Sequence, residues 1–222
     1  DIAKELSINP YPGRGIVIGR SEDGRQAVLA YFIMGRSENS RNRIFVKENG
    51  ILRTKVYDET KVKDPSLIIY NAVRTFHKDI IVTNGNQTDT IYEYLEKGKS
   101  FKDALDTREY EPDAPNYTPR ISACLNAEEV DLSILRKEED ACLRLYYDYL
   151  QKENTAYFLS TYDHDGDPLP PFSKEPVLVE IREEFETLAE ELWKSLNSDN
   201  KISLYVCEGE KEMIFNRNEE KR

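Results

Sequence analysis

The sequence predicts an α+β fold in which two largely antiparallel sheets pack together with helices outside, and three observations carry that prediction. Short apolar runs separated by turn signals fill the first half of the chain, as in hairpin-connected sheet. Two further apolar runs, Leu67-Ile68-Ile69-Tyr70 and Ile80-Ile81-Val82-Thr83, are continuous and short enough for strands buried on both faces. Near the end, Phe185, Leu188, Leu192, Trp193 and Leu196 recur at three- and four-residue steps among glutamates, which marks an amphipathic helix over 183–196.

In order along the chain, Gly15-Ile16-Val17-Ile18-Gly19 and Ala27 to Ile33 flank Glu22-Asp23-Gly24, a hairpin candidate. Ile44-Phe45-Val46 and Ile51 to Val56 flank Asn49-Gly50, a stronger one, because Asn-Gly readily adopts the positive φ angles of a tight turn. A helix is expected from an N-cap at Thr88 or Asp89 to a stop at Gly98, and a short second one from Ser100 to about Thr107. Strands return at Ala156 to Ser160 and at Ile202 to Val206. The Pro-rich piece Asp167 to Phe172 reads as a stiff surface loop.

A length of 222 residues suits one domain spanning 1–222, and 39% hydrophobic residues suffice for its core. The net charge of -11 argues against nucleic acid or an anionic membrane surface as partner, since both require a positive face. No stretch approaches the roughly 18 apolar residues of a membrane span. The Asp1-Ile2-Ala3-Lys4-Glu5 start lacks a basic region followed by an apolar one, so the chain reads as cytoplasmic. Cys124, Cys142 and Cys207 are widely separated and read as small buried hydrophobes.

Three segments could carry chemistry. Arg36-Ser37-Glu38-Asn39-Ser40-Arg41-Asn42-Arg43 is an island of positive potential directly after an apolar strand. Arginine forks suit phosphate or a developing oxyanion, although the same composition also makes a solvated turn between hairpins. Thr83 to Asp89, with Gly85 inside it, joins a buried strand to a helix start, where free N–H groups suit an anionic or carbonyl-rich ligand; a purely structural cap explains it equally. Tyr110 to Arg120 contains three prolines among acidic, amide and phenolic groups, a rigid loop able to position function or simply to connect elements. Asp163-His164-Asp165-Gly166-Asp167 starts like a calcium loop but fails at Pro168 and Lys174, so it reads as a polar turn and no metal site is expected.

Taken together, Tyr11-Pro12-Gly13-Arg14, Arg36-Ser37, Asn42-Arg43, Tyr70-Asn71, Asn84-Gly85, Thr88-Asp89, Tyr110-Glu111, Asn116, Thr118-Pro119-Arg120 and Ser160-Thr161-Tyr162 resemble the archaeal-type inosine monophosphate (IMP) cyclohydrolase family. The resemblance runs from Tyr11 to Phe172; Gln87 stands where that family usually has His, and the region after Phe172 does not align. It implies a four-layer αββα sandwich similar to N-terminal nucleophile hydrolases. That architecture would come without the nucleophile, because the chain starts Asp1-Ile2 and has Gly13-Arg14 near the first strand.

The resemblance further implies a purine nucleotide partner and a reaction without metal or organic cofactor. In it, the formylated imidazole carboxamide ribonucleotide closes to IMP with loss of water. Arg43 and Tyr70 would polarise the formyl oxygen and manage its proton, and Glu111 would accept or orient the carboxamide proton. Arg36, Ser37, Asn42, Asn71, Asn84, Gly85, Thr88, Asp89, Asn116, Thr118 and Arg120 would hold base, ribose and phosphate. Two rivals stand beside this: a nucleotide-binding protein without catalysis, and an amide-bond hydrolase of the same fold. The number of copies in the assembly is open, a homo-oligomer included.

Overall fold

The computed structural model describes residues 1–21, 24–62, 64–181 and 183–220. Their strands form two sheets. One has six strands in the order β11 (Val177–Glu180), β10 (Thr155–Ser160), β1 (Arg14–Arg20), β2 (Ala27–Met34), β12 (Lys201–Glu208) and β13 (Lys211–Asn216). The other has seven: β3 (Arg43–Glu48), β4 (Ile51–Val56), β5 (Asn71–Phe76), β6 (Asp79–Thr83), β7 (Arg120–Leu125), β8 (Glu129–Glu138) and β9 (Ala141–Leu150). Every neighbouring pair is antiparallel.

Alternation along the strands sorts the apolar side chains into separate clusters. Ile16, Ile18, Tyr31 and Ile33 of the first sheet meet Phe45, Leu52, Val82 and Ile121 of the second in a core between the sheets. Val17, Val28, Ala30 and Phe32 point the other way, against Ile2 and Leu6 of α1 (Ile2–Ile8) and Leu188, Leu192 and Trp193 of α5 (Phe185–Ser195). Ile81, Cys124 and Leu135 of the second sheet pack on Ile91 of α3 (Gln87–Glu96) and Phe101 and Leu105 of α4 (Phe101–Leu105). The expected antiparallel sheets with helices outside are therefore present.

Individual elements match or depart for identifiable reasons. Asn49 (φ 52°) and Gly50 (φ 78°) make the β3–β4 turn, and Gly98 (φ 68°) ends the α3 region. The Glu22-Asp23 turn lies outside the described residues. Leu67 to Tyr70 is a turn rather than a strand: Asp64 accepts the Ser66 N–H, the Pro65 carbonyl takes the Ile68 and Ile69 N–H groups, and β5 begins only at Asn71. Helix α3 begins at Gln87, earlier than the expected cap, because Thr88 is already turned inward to share its hydroxyl with Thr83 at 2.7 Å. The Pro-rich loop is only partly on the surface, since Leu169 and Phe172 are buried. Cys124 and Cys207 are buried, whereas Cys142 is half-exposed on β9. Among the described residues no helix is long and apolar enough to cross a membrane, and no group of three or more His, Cys, Asp or Glu is placed to hold a metal ion.

Candidate active site

At one end of the intersheet core the apolar packing gives way to polar groups. Strand periodicity places Arg14 on the same inward face of β1 as Ile16 and Ile18, and Arg43 on the same inward face of β3 as Phe45. Tyr31 and Tyr70 face each other across the sheets with their hydroxyl oxygens 2.7 Å apart. Arg43 is fully buried; its Nε donates to the Ser40 carbonyl at 2.7 Å, while Nη1 and Nη2 have no partner among the described residues. Buried guanidinium donors without acceptors cost stability unless another group meets them.

Glu111 enters from the loop before β7. That loop is folded on itself by Asp113, whose carboxylate accepts from the Thr118 N–H and the Thr118 hydroxyl, while the Glu111 N–H donates to the Thr118 carbonyl at 2.9 Å. The Thr118 hydroxyl also meets the Tyr162 hydroxyl at 2.7 Å. Glu111 is thereby held inside, 2% exposed, and burial pushes its carboxyl up to about 7 against the opposing pull of Arg14, Arg120 and Arg43. Burial alone would lower Arg14, but Glu111, Tyr162, Tyr70 and Tyr11 outweigh it and hold Arg14 above its usual range. For Arg43, burial and the like charge of Arg14 act together and pull it down.

These groups line or back a cleft of about 360 Å³. It is lined by Arg14, Glu111, Asp113 and Tyr162 and by Arg36, Ser37, Asn39 and Ser40 of the 36–43 segment. Asn116 and Thr118 also line it, Asn116 through a loop whose Oδ1 accepts the Leu169 N–H. Gly13 (φ 78°) makes the entry to β1 fit, because a Cβ there would come within 2.3 Å of Thr161 Oγ1 and 2.5 Å of the Tyr162 ring.

The three arginines of the 36–43 segment go to three different places. Arg36 lines the cleft, lies over the Tyr11 ring and donates to Asp165 and the Gly166 carbonyl, both at 2.9 Å. Arg41 turns away, donating to the Gly35 carbonyl and to Asn200, and with Asn42 borders a separate groove beside Arg217. Asn42 closes its own loop by exchanging hydrogen bonds with the backbone of Asp58.

Several other expected ligands are committed to the protein itself. Asn84 donates to the Pro119 carbonyl and accepts from the Ile121 N–H and Gln87 Nε2. Gln87 in turn accepts from Arg120 at 2.7 Å and so ties α3 to β7. Gly85 leaves the room for this, since a Cβ there would lie 2.4 Å from Arg120 Nη1. Thr88 bonds to Thr83, and Asn71 and Arg74 both donate to Asp89 on the α3 side of β5. The structure thus gathers Arg36, Ser37, Glu111, Asn116 and Thr118 around the cleft. Arg43, Tyr70 and Arg120 do not line it but act electrostatically on Glu111, and Asn42, Asn71, Asn84, Gly85, Thr88 and Asp89 do not line it either.

Sequence reasoning left out Arg14, Tyr31, Asp113 and Tyr162. Arg14 and Tyr162 fell within the matched pieces, so the resemblance carried a signal for both. Tyr31 lies in an apolar strand run, where an aromatic residue reads as core.

Two stacked antiparallel sheets, with Arg14 and a Glu111 carboxyl raised toward neutrality at one cleft, define an α+β protein with a polar site at one end of its intersheet core. The chain belongs to the family described as IMP cyclohydrolase-like protein, whose pattern matches residues 11–212. That match extends well beyond Phe172, where the sequence resemblance was expected to stop, and takes in α5 and β12. Among curated proteins, the chain is 32% identical over 157 residues to the IMP cyclohydrolase of Methanopyrus kandleri, covering 68% of this chain and 75% of that one. It is 29% identical to the IMP cyclohydrolase of Methanococcus aeolicus, covering 69% and 74%, and 29% identical to that of Methanocaldococcus jannaschii, covering 69% and 73%.

Proposed function

We propose that this protein is an IMP cyclohydrolase that closes the formylated imidazole carboxamide ribonucleotide to IMP. The observation that carries the proposal is a cleft lined by Glu111, a carboxyl held near neutrality, and by Arg14, with the buried donors Arg43 and Tyr70 close enough to act on Glu111 from behind it. The carboxamide nitrogen attacks the formamido carbonyl of the same molecule, one C–N bond forms, and a water molecule leaves. Both reacting groups belong to one ring system, so proximity is supplied by the substrate. The protein's part is to stabilise the developing oxyanion and to move protons.

Arg43 and Tyr70 donate to the formyl oxygen as its charge grows, each fixed donor contributing on the order of 10²–10³ in rate. Glu111 takes a proton from the carboxamide; a base whose pKa lies near the working pH supplies about 10²–10⁴. Arg36, Ser37, Asn116 and Thr118 hold the nucleotide, with Arg120 completing the wall behind Glu111. On this reading the two sheets with helices outside correspond to the sandwich of N-terminal nucleophile hydrolases without their chemistry: the cleft-facing head of β1 carries Arg14, and a guanidinium does not attack a carbonyl.

The test is incubation of the protein with the formylated ribonucleotide while IMP formation is followed by absorbance. Turnover supports the proposal. Tight binding of IMP with the precursor left unchanged would favour a nucleotide-binding protein without catalysis.

A further inference from the structure

We infer that Tyr31 is a positioning residue that donates its hydroxyl proton to Tyr70 and so leaves the Tyr70 proton free for a ligand oxygen bound beside Glu111. The inference rests on the cyclohydrolase reading of that cleft and assigns a role to a residue outside the proposed catalytic set. The two phenol oxygens are 2.7 Å apart, and Tyr31 is fully buried, its ring stacked on Phe45 at 5.5 Å. A phenol has one proton to give. Among the described residues, the Tyr70 oxygen is the acceptor within hydrogen-bonding distance of Tyr31. The charged neighbours Arg14 and Arg43 are donors only and cannot take that proton.

Two proton orders are conceivable. If Tyr70 donated to Tyr31, the Tyr31 proton would be a buried donor with nothing to meet, which is the costly arrangement. If Tyr31 donates to Tyr70, the proton left over is on Tyr70, the less enclosed of the two at 6% against 0% exposed and the one on the Glu111 side, where a ligand oxygen can take it. Burial raises both phenols; beyond that, their shared hydrogen bond raises Tyr31 and lowers Tyr70, as expected for donor and acceptor respectively. The bond also polarises the Tyr70 O–H and makes it a stronger donor. Tyr70 is therefore fixed as a donor to the formyl oxygen, and its direction is set from the opposite sheet.

The experiment is a double-mutant cycle on kcat with Tyr31→Phe and Tyr70→Phe, which keep both rings and remove one or both hydroxyls. Tyr31→Phe is expected to lower kcat about tenfold with KM little changed, and to cost nothing further once Tyr70 is already Phe. Equal losses in both backgrounds would reduce Tyr31 to packing and overturn the inference. A second measurement needs no variant: by NMR of the unmutated protein, the Tyr31 hydroxyl proton should exchange slowly with solvent, and the Tyr70 proton should exchange faster and shift when IMP is added. The reverse order of protection would overturn the inference. Failure of the unmutated protein to make IMP would instead sink the parent reading, and the NMR order would still decide the proton arrangement.

Discussion

The side-chain amide of Asn216, on β13 of the six-stranded sheet, pairs with both backbone groups of Phe45, on β3 of the seven-stranded one. Its Oδ1 accepts the Phe45 N–H at 2.8 Å and its Nδ2 donates to the Phe45 carbonyl at 3.0 Å. The Ser203 hydroxyl donates to the same Oδ1 at 2.7 Å. One side chain thus stands in for a neighbouring strand and clamps the sheets together two residues from Arg43. Asn218 adds to the clamp by donating to the Arg41 and Arg43 carbonyls. The C-terminal residues therefore position the head of β3, although Asn216 and Asn218 lie just past the family match.

Asn216→Ala should lower stability by about 2–4 kcal/mol, since it strands a buried N–H and a buried carbonyl of Phe45 together. Urea unfolding followed by circular dichroism measures it. A change below about 0.5 kcal/mol would mean that β3 is held by its other contacts.

Arg36 and Arg41, alike in sequence, should separate in function. Arg36→Ala should weaken IMP binding about tenfold or more, because Arg36 lines the cleft and can exchange its exposed pairing with Asp165 for a phosphate. Arg41→Ala should leave IMP affinity within about twofold, because its guanidinium is turned to Gly35 and Asn200. Calorimetric titration of both variants decides it; an equal loss in the two would return phosphate binding to the segment as a whole.

The raised carboxyl of Glu111 has a signed effect on stability. Its folded pKa of about 7 lies above its unfolded value of 4.5, so the native state binds the extra proton between those limits. The contribution of Glu111 to stability is then most favourable below about pH 4.5, declines as pH rises, and levels off above about 7. Glu111→Gln removes this penalty and should gain on the unmutated protein across that window, by up to roughly 3 kcal/mol at pH 8. Parallel denaturant titrations at pH 5 and pH 8 measure the gap; a gap that shrinks with pH would contradict the buried, raised carboxyl.

The layer order was legible in the sequence because it depends on periodicity, which Ile16 and Ile18 or Leu188 and Leu192 display locally. Leu67 to Tyr70 was not, since an apolar run looks the same whether it pairs with a neighbour or folds into a turn, and here Asp64 and Pro65 decide for the turn. The family resemblance grouped Glu111, Arg43 and Tyr70, and the fold sets Arg43 and Tyr70 within electrostatic reach of Glu111. The resemblance could not separate residues that line the cleft from those that build its walls: Asn84 and Thr88 sit in the matched pieces, yet their hydrogen bonds are spent on Pro119, Ile121 and Thr83. Tyr31 was invisible because its partner lies on the other sheet.

Glu111 is proposed to act on the transition state of ring closure, and the most direct test measures the single-turnover rate and the IMP affinity of Glu111→Gln on one preparation. Gln keeps the shape and loses the basicity, so the rate of IMP formation should fall by roughly 10²-fold or more while IMP affinity stays nearly unchanged. A normal rate from bound substrate, accompanied by weakened IMP binding, would contradict the claim and leave Glu111 as an anchor for the nucleotide or its loop.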